Sequence, residues 1–352
     1  MGEIGAERFM NLYKKVIQRL SLAAHVFRYG EMRQETLDDL RALTAEELAE
    51  IKTFFPMPKF FVFGHARSGT TLLARLLRVH PEVYCNWQAH FFTRKPFLES
   101  LVSFPEIREW FSRKSNRWNR GEDFSPLAIR AVSDFMLERE ARREGKTIVG
   151  DKSPNSLVDG EAVKQMYAVY PDGRLIYIVR DGRDTAISHR FQAFIDSPQH
   201  LSLQDIAIRD DFAADPEPFF QGKRSIFTSN GLRKAAENWA RNVEETDALG
   251  KTLYPEHYLS LRYEDLLEKP YLTMQRVWSF LGVDSELPKL EEAVTKEIQT
   301  NPDAKWQQKQ AGALVMNLEK GKSGTWQDLF IERDKVIFEK IAGNTLRDWD
   351  YE

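Results

Sequence analysis

The chain has 352 residues, one cysteine and a formal net charge of -3, from 50 basic and 53 acidic side chains. The length allows one large α/β domain with insertions or two smaller ones, and 42% hydrophobic with 29% charged residues is an ordinary balance for a folded chain. The charge balance excludes a general nucleic-acid binder, which needs surplus Lys and Arg to follow a phosphate backbone, and the lone Cys85 excludes an internal disulfide.

Residues 1–58 read as an N-terminal helical extension. Phe9, Leu12, Val16 and Leu20 recur at helical spacing, and Thr44-Ala45-Glu46-Glu47 is a capping box opening a second helix towards Phe54, stopped by Pro56 and Pro58. The first residues carry no apolar secretory core, and Ala6 stands where a myristoylation signal has Ser or Thr. No run of 18 apolar residues exists, so no transmembrane segment is expected and the expected location is cytoplasmic.

From residue 59 the pattern changes. Lys59–Phe63 is a short apolar run, followed by the loop Gly64-His65-Ala66-Arg67-Ser68-Gly69-Thr70-Thr71 and an amphipathic stretch to Val79. The same strand–loop–helix pattern recurs from Lys146 to Gly150 into Asp151-Lys152-Ser153-Pro154. It recurs again from Arg174 to Val179 into Arg180-Asp181-Gly182-Arg183-Asp184, and from Tyr258 to Arg262 into Tyr263-Glu264-Asp265. Such alternation predicts an α/β fold with a central parallel sheet flanked by helices, and ligands in such sheets bind beyond the carboxyl ends of the strands. Residues 190–230 hold Pro198, Pro216 and Pro218 with weak periodicity and read as a mobile lid or acceptor-site insertion within a domain of residues 59–352.

The 64–71 loop has the spacing of a phosphate-binding P-loop, in which backbone N–H groups and a helix N-terminus converge on an anion. Thr70 takes the place of the lysine that a nucleoside triphosphatase sets against its β- and γ-phosphates, and the cation is Arg67, inside the loop. Ala66-Arg67-Ser68-Gly69-Thr70-Thr71 resembles the 5′-phosphosulfate loop of sulfotransferases that use 3′-phosphoadenosine 5′-phosphosulfate (PAPS). Arg180-Asp181-Gly182-Arg183-Asp184 with Ser188 resembles their 3′-phosphate signature. Leu261-Arg262-Tyr263-Glu264-Asp265-Leu266 and Lys320-Gly321-Lys322-Ser323-Gly324-Thr325-Trp326 are similar to two further segments of that family, in the family's order. The resemblance spans residues 59–330 and is closer to the carbohydrate, tyrosyl-protein and bacterial branches, since Leu72 and Arg67 depart from the cytosolic pattern.

The resemblance implies a P-loop-like sulfotransferase fold, PAPS as sulfuryl donor with 3′-phosphoadenosine 5′-phosphate (PAP) as product, and in-line transfer to a hydroxyl or amine with no metal. It assigns nucleotide contacts to Arg67, Ser68, Gly69, Thr70, Thr71, Arg180, Ser188, Tyr263, Lys320 and Gly321. It assigns transition-state cations to Arg67 and to Lys152, in a Lys-Ser-Pro segment. In the segment Trp87-Gln88-Ala89-His90-Phe91-Phe92, Gln88 stands where carbohydrate sulfotransferases carry a Glu base. An amide cannot take a proton, so His90 becomes the candidate base, with His65, His189 and Glu82 as weaker ones. The acceptor class stays open between a small molecule, a lipid-linked compound and a glycan. Two other readings stay open as well: a P-loop kinase or hydrolase, with Asp151 as the magnesium-binding acid, and a non-catalytic PAP-binding module.

Overall fold

The computed structural model describes residue 20, residues 40–300 and residues 323–352. It divides into two compact units, Met1–Leu40 and Arg41–Glu352. The helical spacing at Phe9, Leu12 and Val16, and Lys320 and Gly321, lie outside the described residues.

The second unit is built on five parallel strands: β1 (Lys59–Phe63), β2 (Val83–Trp87), β3 (Ile148–Lys152), β4 (Arg174–Val179) and β5 (Tyr258–Arg262), in the spatial order β2-β3-β1-β4-β5. The central strand β1 reads Lys-Phe-Phe-Val-Phe and is buried along its whole length, as a parallel strand covered on both faces must be. Its side chains alternate. Phe60 and Val62 join Ile176, Ile178 and the fully buried Trp278 on one face of the sheet. Phe61 points to the other, where it meets Phe92 and Tyr170. Helices Thr70–Val79, Pro270–Leu281 and Leu290–Thr300 cover the first face. Helices Ser125–Arg143, Glu161–Val169, Ser229–Leu253 and Glu332–Asp348 cover the second.

Three elements depart from the reading above. Strand β2 went unrecognised: Val83–Trp87 is only five residues long and carries no alternation, yet it pairs with β3 from Val83 against Ile148 to Trp87 against Lys152. Strand β3 begins at Ile148 and runs to Lys152, so Asp151 and Lys152 belong to the strand end rather than to the following loop. Within residues 190–230 the chain forms helices Leu203–Ala214 and Glu217–Phe220. The first opens on a capping box between Ser202 and Asp205, and Phe212 packs against Phe191 and Phe219. The capping box at Thr44 and the helix Ala45–Phe54 are present as read.

Because all five strands run the same way, their carboxyl ends share one edge of the sheet. That edge carries, side by side, the loops after Trp87, Lys152, Phe63, Val179 and Arg262.

Candidate active site

The helix Thr70–Val79 starts at Gly69, whose φ of 89° lies in the left-handed region where a Cβ is strained. A Cβ there would also stand 2.1 Å from Cδ2 of Tyr263, so glycine is required twice over. Gly69 offers no side chain to cap the helix, and the first turn holds no acid. Among the described residues no side chain caps the leading N–H groups of this helix, which have no intrahelical partner, and its positive end faces the sheet edge. The helix Gly182–Asp196 is different: the Asp181 carboxylate accepts the Arg183 N–H and closes that helix start from within. Ser68 is fully buried in the loop, and its hydroxyl has no hydrogen-bond partner among the described residues. An open helix start beside an unsatisfied hydroxyl fits an anionic group such as a phosphosulfate.

The second motif closes on the first. Arg67, with φ 75°, donates from Nε to the Ser188 hydroxyl at 3.0 Å, and Arg180 donates from Nη1 to the Arg67 carbonyl at 3.3 Å. The Arg180 guanidinium lies 5.0 Å over the Tyr263 ring and 3.8 Å from the Asp184 carboxylate. Tyr263 is thereby buried between Gly69 and Arg180 and braces the loop. Trp239 is buried and donates from its indole to the Arg180 carbonyl at 3.2 Å, holding the end of β4 in place. Asp184 accepts the N–H groups of Gly324 and Trp326 at 2.7 and 2.9 Å, and Arg183 stacks 3.7 Å over the Trp326 ring. The described part of the Gly324-Thr325-Trp326 segment is thus tied to the helix that follows Arg180.

Lys152 completes the other wall. At the end of β3 it is almost fully buried, donates to the Thr71 hydroxyl at 3.3 Å, and lies 5.4 Å from the centre of the half-exposed Trp87 ring. Beside it, Gln88 and His90 both hold positive φ, at 54° and 53°. Four hydrogen bonds fix this turn, the first from the Gln88 N–H to the Lys152 carbonyl at 2.8 Å. The Ala89 N–H donates to Asp151 at 3.0 Å, the His90 N–H donates to the Ser153 hydroxyl at 2.9 Å, and that hydroxyl donates to Asp151 at 2.5 Å. Asp151 and Ser153 flank Lys152 in sequence; the reading above raised Asp151 only within the kinase alternative and gave Ser153 no role, although both stood in the same motif.

The His90 ring is half-buried with Nδ1 2.8 Å from the Thr93 hydroxyl. Burial lowers its pKa below the usual histidine value, with smaller pushes from Arg94 and Lys152. A neutral imidazole beside the strand-end lysine is suited to taking a proton. The weaker candidates fare differently. His65 is buried, 5.7 Å from His189 by ring centres, and its pKa falls to about 4, chiefly through burial. Glu82 precedes β2 at the opposite edge of the sheet, where it accepts the Thr147 hydroxyl at 3.0 Å, so it cannot serve this site.

Comparison with known proteins bears on the family of the chain. The profile described as “Sulfotransferase family” matches residues 58–287, more than half of the chain. Protein-tyrosine sulfotransferase A of Caenorhabditis elegans is 22% identical over 251 residues, covering 68% of this chain and 54% of that protein. The human bifunctional heparan sulfate N-deacetylase/N-sulfotransferase 3 is 30% identical over 237 residues, covering 66% of this chain and 23% of that protein. The chain thus spans about half the length of the worm relative and less than a quarter of the human one. Among solved structures, a mouse sulfotransferase complexed with PAP is similar at 17% identity and a TM-score of 0.44, covering 87% of this chain and 91% of that one.

Proposed function

Because the chain belongs to the sulfotransferase family, we propose that it transfers a sulfuryl group from PAPS to a hydroxyl or amine acceptor. The observation that carries this reading is the closure of the two phosphate motifs on each other, Arg67 on Ser188 and Arg180 on the Arg67 carbonyl. A nucleotide with phosphates at both the 5′ and 3′ positions needs cations at two places on one loop edge, and ATP has no 3′-phosphate to occupy the second. A charge-assisted hydrogen bond from Arg180 contributes about 1.5–3 kcal/mol.

PAPS, when bound, supplies the sulfuryl group and a 5′-phosphate leaving group. The remaining tasks fall to the chain. The N–H groups of Thr70 and Thr71 and the guanidinium of Arg67 hold the 5′ anion, and Arg180 with Ser188 holds the 3′-phosphate. Lys152, beside Thr71, adds positive charge where the bridging oxygen gathers electrons. His90 accepts the proton that the acceptor loses as its oxygen or nitrogen bonds to sulfur, the electron pair of the broken sulfur–oxygen bond leaving with the phosphate. The names of the worm and human relatives specify a protein tyrosine and heparan sulfate N-sulfation, which supports keeping both hydroxyl and amine acceptors.

The test is thermal stability with PAP, with ADP, and with ATP plus magnesium. PAP at a hundred times its dissociation constant adds about 2.7 kcal/mol, and Arg180→Ala removes the shift. Stabilisation by ATP with magnesium alone would overturn the reading in favour of a phosphotransferase.

A further inference from the structure

Nine of the fourteen large apolar side chains exposed among the described residues lie between Trp87 and Met136, so this one stretch of surface differs from the rest. Leu101 comes from the 3-10 turn Leu98–Val102, Ile107 and Trp110 from the helix Pro105–Ser112, and Phe104 is the cap residue that precedes that helix. Both elements pack on the helix Ser125–Arg143, whose outward positions at helical spacing are Val132, Phe135 and Met136. About half or more of most of these side chains stays open, Phe104 at 64% and Trp110 at 54%. Apolar exposure concentrated on elements that pack on one another marks an interaction surface.

The same stretch carries surplus positive charge. Between residues 94 and 136 the exposed charges are Arg94, Lys95, Arg113, Lys114, Arg117 and Arg120 against Glu106, Glu109 and Glu122, with Arg113 paired to Glu109 at 3.1 Å and Lys95 3.6 Å from Glu161, in a chain whose net charge is -3. Two indoles sit among them, and an aromatic cluster holds both in place. Trp110 stacks on Phe111 with ring centres 4.8 Å apart, and Trp118 packs on Phe124 at 5.4 Å. Half-exposed Trp, exposed Leu and Phe, and surplus Lys and Arg on one rigid surface are the chemistry of the lipid headgroup layer, where indoles settle and anionic lipids draw cations.

We propose that residues 94–136 dock the protein peripherally on an anionic bilayer. A soluble polyanion would satisfy the cations and leave the apolar side chains in water, whereas a bilayer satisfies both. The surface is coupled to the site: the Leu98 N–H donates to the Phe91 carbonyl at 2.9 Å, one residue past His90. Docking therefore brings the His90 turn to the lipid surface. This inference stands apart from the sulfuryl-transfer reading, since it rests on none of the phosphate-motif residues.

The experiment is co-sedimentation of the full chain with vesicles of phosphatidylcholine and phosphatidylglycerol, and with vesicles of phosphatidylcholine alone. Two double variants are compared, Leu101→Ser with Phe104→Ser and Arg113→Glu with Lys114→Glu; all four positions are exposed, and circular dichroism checks the fold. The expected result is binding to the anionic vesicles that weakens by ~tenfold or more in each variant. Absence of binding to either vesicle, or binding that both variants retain, would overturn the assignment. So would a parent chain that elutes as a dimer and a Leu101→Ser, Phe104→Ser variant that elutes as a monomer, since the surface would then be covered by a second copy. Capture by a sulfated polysaccharide with no vesicle binding would overturn it as well.

Discussion

His90 has both the exposure and the electrostatics of a proton acceptor, and its surroundings make that role testable by pH. Its pKa is lowered first by burial and then by Arg94 and Lys152, so the group is neutral over more of the acid range than a free histidine. The rate should fall with acid along a limb set below the ordinary histidine pKa of about 6.5. Arg94→Gln removes one lowering charge without touching the ring, and the limb in the pH profile of kcat/KM should move up. A limb that stays put, with His90→Asn losing less than ~10²-fold in rate, would take the proton elsewhere. Asp151 offers a second pH signature. Burial raises its pKa to about 6 from the model-compound 3.8, against hydrogen bonds from Ser153 and the Ala89 N–H. In that window the unfolded chain has already released the proton that the folded chain keeps. The stabilisation is therefore full below about pH 4, is lost as pH rises through about 6, and amounts to about 3 kcal/mol at most. Asp151→Asn keeps an oxygen for the Ala89 N–H and cannot ionise. Its stability relative to the parent, from urea denaturation, should climb between about pH 4 and 6 and then level off; a pH-independent difference would mean that the carboxyl is ionised throughout.

At the scale of elements, the loop between β1 and the helix Thr70–Val79 depends on one close approach. Gly69→Ala meets a left-handed backbone and the face of Tyr263 at once, and should cost about 2–4 kcal/mol together with PAP affinity. The two causes separate in a double-mutant cycle. In a Tyr263→Ala background the steric part vanishes and only the backbone strain remains, so the alanine should cost at least about 1 kcal/mol less there. Equal costs in both backgrounds would rule out the ring contact. The elements that sequence revealed are those with a local signature: buried runs such as Arg174–Val179, the glycine loop at 64–69, the capping box at Thr44. Strand β2 has no such mark, since its place at the sheet edge comes from pairing with β3, a contact between residues more than sixty positions apart. The site divides the same way. The residue types of Arg67, Arg180 and Ser188 were readable, but the Arg67–Ser188 hydrogen bond spans 121 positions and no local pattern encodes it. The turn held by Asp151 and Ser153 stayed hidden because its two halves lie at the ends of different strands, more than sixty positions apart.

Across the whole molecule the two edges of the sheet do different work. The carboxyl edge carries the phosphate motifs, with a helix start left open and a serine hydroxyl left unsatisfied among the described residues. The amino edge carries a closed network of buried charge. Lys59, the first residue of β1, donates to Glu138 at 2.7 Å and stands 3.4 Å from Asp134. Arg130 pairs with Asp134 and Asp172, both at 2.8 Å, and stacks 4.1 Å over Tyr170. Burial raises the Asp134 pKa while its two cations oppose the rise, and Asp172 falls to about 2 despite burial, through Arg130 and then Lys52. Removing Lys59 takes one of two cations from each of Glu138, which keeps Arg142 at 2.6 Å, and Asp134, which keeps Arg130, and leaves buried carboxylate oxygens without their hydrogen-bond donor, which costs about 1–3 kcal/mol. Lys59→Met should therefore lower the urea midpoint sharply, while the protein that remains folded binds PAP with unchanged affinity. Arg180→Ala should do the reverse, since its guanidinium lies at the ligand edge and most of its value is realised when an anion arrives. Isothermal titration with PAP alongside urea denaturation for both variants separates the two edges. If Lys59→Met weakened PAP binding as much as it weakened the fold, the strand would be transmitting the loss along β1 to the Gly64–Gly69 loop, and the division between a stabilising edge and a binding edge would not hold.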